Sequence, residues 1–120
     1  MKNTFLIVNY NDYDSTIKLI NNITYYKTID YILVVDNNST DDSYKKLSQL
    51  KSSKIKIIKS SFNKGYSFGI NEGLRFLDNK FKNYNVVISN PDIIINEEKD
   101  LEKMYKTLED EKIAIVGPTV

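Results

Sequence analysis

Five short runs of β-branched and aromatic residues, each closed by polar ones, limit how this chain folds. They are Phe5-Leu6-Ile7-Val8, Tyr31-Ile32-Leu33-Val34-Val35, Ile55-Lys56-Ile57-Ile58, Val86-Val87-Ile88 and Ile113-Ala114-Ile115-Val116. Runs this short have the length and side-chain type of strands. The first, second and fourth are apolar almost without interruption, which suits strands covered on both faces and hence a parallel sheet. The third alternates and is expected nearer an edge. Between the runs, apolar residues recur at helical spacing. Leu101, Met104, Tyr105 and Leu108 fall at i, i+3, i+4 and i+7 among Glu and Lys. Ile70, Gly73, Leu74, Leu77 and Phe81 form a comparable stripe. Tyr13, Ile17, Ile20 and Thr24 give a weaker one, and Tyr44, Leu47 and Leu50 a short one. This alternation predicts an α/β fold: an open, mostly parallel, Rossmann-like sheet with helices on both faces, forming a single domain over 1–120.

Composition removes whole classes of chemistry. The chain has no Cys and no His. Disulfides, thiolate nucleophiles, Ser-His-Asp catalysis and His- or Cys-ligated zinc are therefore excluded. Any catalytic metal has to sit on oxygen ligands, which suits Mg²⁺ or Mn²⁺. With 17 Lys+Arg against 16 Asp+Glu, the net charge of +1 gives no basic footprint for nucleic acid and no polybasic run for a membrane. The first apolar run stops at Asn9, too short for a signal-peptide core or a membrane span, so a cytoplasmic location is expected.

In open parallel sheets, ligands bind beyond the carboxyl ends of the strands, so the residues after each run carry the functional reading. Tyr10, in the loop after the first run, is placed to lie against a base. Asp36 ends the second run before the next helix begins, where an acid can accept hydrogen bonds from a ribose or a base edge. Just beyond it, Ser39 and Asp42 read as a capping box, with Asp in place of Glu. Gly65, Gly69 and Gly73 are spaced four apart. Gly65 precedes a helix whose free N–H groups suit an anion such as a diphosphate, whereas Gly69 and Gly73 suit close packing on the sheet. Asn90-Pro91-Asp92 ends the fourth run as either a simple turn or an oxygen-ligand metal site centred on Asp92. Asn96 with Glu97 and Glu98 reads as an N-cap with acids in the first turn, and Arg75 falls on a helix face outside the site.

Taken in order, Ile7-Val8-Asn9-Tyr10-Asn11, Val34-Val35-Asp36-Asn37-Asn38-Ser39-Thr40-Asp41-Asp42-Ser43, Asn63-x-Gly65-x3-Gly69-x-Asn71-x-Gly73 and Asn90-Pro91-Asp92 resemble family 2 glycosyltransferases. The likeness is to the rhamnosyltransferase-like branch, in which Asn-Pro-Asp stands in place of Asp-x-Asp, and it covers essentially the whole chain. It implies the nucleotide-binding half of a GT-A domain. The implied activity is inverting transfer from a nucleotide-diphosphate sugar, UDP- or dTDP-linked, to a glycan or lipid-linked acceptor, aided by Mg²⁺ or Mn²⁺. By the same resemblance Tyr10 and Asp36 would contact the base and ribose. Lys64, Gly65 and Asn71 would lie along the donor, and Asp92 would bind the metal with help from Asn90. The implied location is cytoplasmic, peripheral at the inner face of the membrane.

The family's acceptor segment and catalytic carboxylate lie downstream of the strand matching Ile113-Ala114-Ile115-Val116-Gly117-Pro118. No residue here matches the general base, so none is assigned, and the chain is expected to be incomplete for catalysis alone. Surface left by a missing half favours self-association. Three other readings make different demands on the sequence. A sugar nucleotidyltransferase wants a Gly-rich basic loop after the first strand, which Asn9-Tyr10-Asn11-Asp12 does not offer. A receiver-like domain wants a Lys after the last strand, where Gly117-Pro118 stands. A non-enzymatic split subunit or interaction module stays open.

Overall fold

A computed structural model of the chain describes residues 1–109. Strands β1 (Lys2–Asn9), β2 (Tyr31–Asp36), β3 (Ile55–Lys59) and β4 (Tyr84–Ser89) alternate with helices α1 (Tyr13–Ile23), α2 (Ser43–Leu47), α3 (Tyr66–Lys80) and α4 (Glu98–Leu108). The four described strands form one parallel sheet in the order β3-β2-β1-β4. The expected fold class is found, and the alternating third run lies at an edge among the described strands. The fifth run, at 113–116, lies outside the described residues.

Alternate side chains of each strand serve opposite faces. Phe5, Ile7, Ile32, Val34 and Val87 pack with Leu19, Ile20 and Ile23 of α1, Leu47 of α2, and Leu101 and Tyr105 of α4. Leu6, Leu33 and Val35 pack on the other face with Leu77 of α3, joined by Ile70 and Leu74. That double cover is why the first two runs have almost no polar interruption. The fourth run departs from the expected full cover: β4 alternates half-buried and buried residues because, among the described strands, it is the outermost on its side.

Two glycines set how closely α3 sits on the sheet. A Cβ at Gly73 would stand 2.6 Å from Leu6 Cδ1, and one at Gly69 would stand 2.9 Å from Val8 Cγ1. Gly65, by contrast, precedes the helix at φ +100° with open space around it. The packing role assigned to the inner two glycines is therefore found in the structure.

The approach to α4 differs from expectation. Its N-cap is Glu97 rather than Asn96. Ile95 is held against α1 and the turn that follows it: its N–H donates to Asn22 Oδ1 at 2.7 Å, and its C=O accepts from Asn22 Nδ2 at 2.9 Å and Tyr26 O–H at 2.8 Å. With that backbone committed to α1, the helix starts one residue later. Glu98 then accepts from the Thr28 hydroxyl at 2.7 Å and the Thr28 N–H at 2.9 Å. Further along, the buried Tyr105 hydroxyl donates to Thr4 C=O at 2.6 Å, tying α4 to β1.

Two outcomes follow from this packing. Gly73→Ala gains helix propensity but overpacks Leu6 and Val35, and a net loss of about 1 kcal/mol is expected in urea unfolding. The Thr28 hydrogen bonds hold the Glu98 carboxyl below its ordinary value of 4.5. Its contribution to stability is thus complete above pH 4.5 and is lost as pH falls through the lowered folded value. Stability measured against pH should lose part of its acid limb in Glu98→Gln, and an unchanged curve would contradict this.

Candidate functional site

The parallel sheet sends its carboxyl-terminal loops out from one edge, and strand register places Asn9 directly beside Asp36. Both are fully buried. Asp36 Oδ1 accepts from Asn9 Nδ2 at 2.9 Å and from the Ser39 hydroxyl at 2.7 Å, while Oδ2 accepts from the Ser39 N–H at 3.0 Å. Ser39 Oγ in turn accepts from the Asn11 N–H at 2.9 Å. Asn11 completes the stitching with its side-chain Oδ1, which accepts from the N–H groups of Thr40 at 2.8 Å and Asp41 at 3.2 Å. The loops after β1 and β2 are thereby one hydrogen-bonded body.

This arrangement overturns the capping-box reading of Ser39 and Asp42. The N-cap of α2 is Asp42, and its side chain makes no cap hydrogen bond. Asp41 Oδ1 instead accepts from the Ser43 N–H at 2.8 Å. Hydrogen bonds from Ser43 hold the Asp41 carboxyl below its usual range. Ser39 is taken by Asp36, a charged acceptor that outcompetes a neutral cap. Asp36 itself is 0% exposed, so a ribose or base reaches it only by exchanging ligand hydrogen bonds for those of Ser39.

The loop after β3 joins the same body through Asn37, which is 3% exposed. Its Nδ2 donates to Gly65 C=O at 3.0 Å and lies 3.4 Å from Asn63 Oδ1. Its Oδ1 is buried without a partner among the described residues, the kind of acceptor that a water or ligand completes. The N-terminus of α3 has no side-chain cap, so N–H groups of its first turn stay open beyond Gly65. Lys64 is exposed, its Nζ 5.1 Å from the Phe62 ring centroid and 5.8 Å from that of Phe68. At the rim, Tyr10 is 45% exposed.

Asn90 and Asp92 are exposed beyond β4, at the same edge of the sheet. Among the described residues no three acidic side chains converge as a ready metal cage. A lone exposed carboxylate suits a hard cation that takes the rest of its shell from phosphate and water, which is how Mg²⁺ is commonly held. Asp92 therefore fits Mg²⁺ or Mn²⁺ arriving with a phosphate-bearing ligand. The fold does not bring Asn71 to these loops. It lies about 200° around α3 from the sheet-facing Gly69, on the exposed side of the helix.

Sequence reasoning missed Asn11 as the residue that stitches the two loops, and the special backbone of both Asn11 and Asn38. Both adopt left-handed backbone, with φ +50° and +58°. The repeated Asn in these loops was the available signal, since Asn tolerates that conformation best among residues with a Cβ. A shallow concavity of about 490 Å³ lined by Met1, Lys2, Asp30, Lys80, Phe81, Lys82 and Asn83 lies at the opposite end of the strands and shares no residue with this site.

The family model described as "Glycosyl transferase family 2" matches residues 4–120. The low-salt glycan biosynthesis hexosyltransferase Agl10 of Haloferax volcanii is 29% identical over 117 residues, covering 98% of this chain and 36% of that protein. Mannosyltransferase PcManGT from Pyrobaculum calidifontis, solved in complex with GDP-Man and Mn²⁺, superposes with a TM-score of 0.77 at 19% identity, over 93% of this chain and 33% of that one. S. aureus TarS 1-349 superposes with a TM-score of 0.70 at 19% identity and the same coverage. The chain thus spans about a third of the length of these proteins. At such identity the two structures establish the fold alone.

The buried network makes its own prediction. Asp36→Asn turns one acceptor into an N–H₂ group that faces the N–H donors of Asn9 or Ser39. A loss of about 2 kcal/mol is expected in urea unfolding, the scale of an unpaired buried polar group. A loss below about 0.5 kcal/mol, the level of an ordinary surface change, would show that the network carries little.

Proposed function

The chain belongs to glycosyltransferase family 2, and from that membership we propose that it forms the donor-binding part of an inverting sugar transferase. The ligand is a nucleotide-diphosphate sugar. The observation that carries this reading is the gathering of Tyr10, the Asp36 network, the open N-terminus of α3 and Asp92 at one edge of the parallel sheet. In the proposed arrangement the Tyr10 ring stacks on the base, and Asp36 meets the ribose or base after yielding Ser39. Lys64 and the N–H groups beyond Gly65 lie along the diphosphate. Asn71 drops out of this set for the geometric reason given above.

In inverting transfer, an acceptor oxygen attacks the anomeric carbon from the face opposite the diphosphate. The bond from that carbon to the phosphate oxygen breaks, and its electron pair leaves with the nucleoside diphosphate. A divalent cation held there would supply charge neutralisation to that leaving group. Asp92, with help from Asn90, is the residue proposed to hold it. No residue of this chain is assigned as the base that takes the acceptor proton. The proposed acceptor is a glycan or a lipid-linked precursor, in keeping with the glycan role in Agl10's name, and the location proposed with it is a cytoplasmic site at the membrane face. No described helix is long and apolar enough to cross a membrane. Asn90-Pro91-Asp92 is the ground for placing the chain in the rhamnosyltransferase-like branch.

Calorimetric titration with UDP, dTDP and GDP, with and without Mn²⁺, tests this directly. At least one should bind only with the metal. Asp92→Ala should remove the metal dependence at unchanged Tm, and Tyr10→Ala should weaken binding about tenfold, the order of one base–aromatic stack. Failure of all three nucleotides to bind with Mn²⁺ present would sink the proposal.

A further inference from the structure

Thr16 and Asn9 lie fully buried beneath the stitched loops, and neither is itself assigned above to the ligand. Thr16 Oγ1–H donates to Asn9 Oδ1 at 2.6 Å. Asn9 Nδ2 donates to Asp36 Oδ1 at 2.9 Å and lies 3.4 Å from Ser39 Oγ. A hydroxyl in a helix ordinarily bonds back to its own helix. Here the Thr16 N–H takes Asp12 C=O at 3.1 Å, and the hydroxyl is spent outside α1 on Asn9.

The chemistry of the three groups gives the chain a direction. A carboxylate only accepts, so Asp36 requires the N–H₂ end of the Asn9 amide. The other end then needs a donor, and the Thr16 hydroxyl supplies it. Without that hydroxyl, the amide oxygen is a buried acceptor with nothing to accept, and nothing on the α1 side aims the amide. Thr is also a weaker helix former than most, so a position inside α1 is given up for this hydroxyl.

We propose that Thr16 and Asn9 are positioning residues for the loop after β2. The α1 hydroxyl aims the Asn9 amide, and the amide fixes the Asp36 carboxylate. Through Ser39, that carboxylate fixes the turn that Asn11 then holds. The seating of α1 and the shape of the proposed base-and-ribose loop are therefore one coupled variable. This assignment rests on the donor-site reading only for its binding consequence, since the coupling itself is a property of the free protein.

The test compares Thr16→Val, which keeps the shape and removes the hydroxyl, with Thr16→Ser, which keeps the hydroxyl. Amide hydrogen exchange is followed by NMR alongside titration with UDP, dTDP and GDP in the presence of Mn²⁺. In Thr16→Val, the Ser39 and Asn11 amides should exchange about tenfold faster while Leu6 and Leu33 keep their protection. Affinity for the nucleotide that binds wild type should fall about tenfold, and Thr16→Ser should restore both. Should Thr16→Val fail to fold, Ser39→Ala cuts the same chain at a partly exposed position, and the Asn9 side-chain N–H₂ protons should then lose their protection. Unchanged Ser39 and Asn11 exchange in Thr16→Val, damage in Thr16→Ser equal to that in Thr16→Val, or unaltered Asn9 protons in Ser39→Ala would each overturn the proposal. Wild type that binds none of the nucleotides refutes the donor reading, and the exchange arm still decides the coupling.

Discussion

Asp36 is a carboxylate withdrawn from solvent at the end of a central strand, and the working edge of the sheet is arranged around keeping it satisfied. Removing a charge from water costs several kcal/mol unless hydrogen bonds replace the lost hydration. Three groups do so here, from Asn9 and from both the N–H and hydroxyl of Ser39. Because these partners come from β1 and from the loop after β2, satisfying one carboxylate fixes two loops. Asn11 and Asn38 can then hold their left-handed backbone because the surrounding hydrogen bonds over-determine it.

The glycines of α3 extend the same constraint to a third loop. Gly69 and Gly73 let the helix approach Val8 and Leu6, and that approach brings Gly65 C=O within reach of the buried Asn37 amide. The resulting edge has two characters. The side formed by the first three loops is pre-organised and costs little to order when a ligand arrives. Asn90 and Asp92 stay exposed, which suits a cation delivered together with the phosphates of the proposed ligand. In this account the rigid side recognises the nucleotide and the open side receives its charge.

Much of this was legible because strand and helix periods write themselves into the sequence. Leu6, Leu33 and Val35 against Phe5, Ile32 and Val34 form unbroken runs only because both faces are covered. The edge position of β3 showed in its alternation. Asp36 stood out as an acid ending an apolar run, but its partners did not, since Asn9 and Ser39 meet it through strand register and a turn. Ser39 satisfied the pattern of a capping box and was claimed instead by a stronger acceptor. Asn96 lost the N-cap to Glu97 because Ile95 is bonded to α1, a contact some seventy residues away in sequence. Asn71 matched a family motif, yet helical phase turns it from the sheet. Distant pairings decided Asn9 and Ile95, an acceptor three residues back decided Ser39, and the phase of its own helix decided Asn71.

The proposed donor site places a metal-bound nucleotide diphosphate at one edge of the sheet, beyond the carboxyl ends of its strands. Paramagnetic line broadening by Mn²⁺ in ¹H–¹⁵N spectra, recorded with UDP, dTDP or GDP present, measures this most directly. Broadening should centre on Asp92 and reach Tyr10, the 37–40 turn and Gly65, with Lys2, Asp30 and Lys82 at the opposite end unaffected. Broadening centred on that opposite end, or spread evenly over the chain, would contradict it.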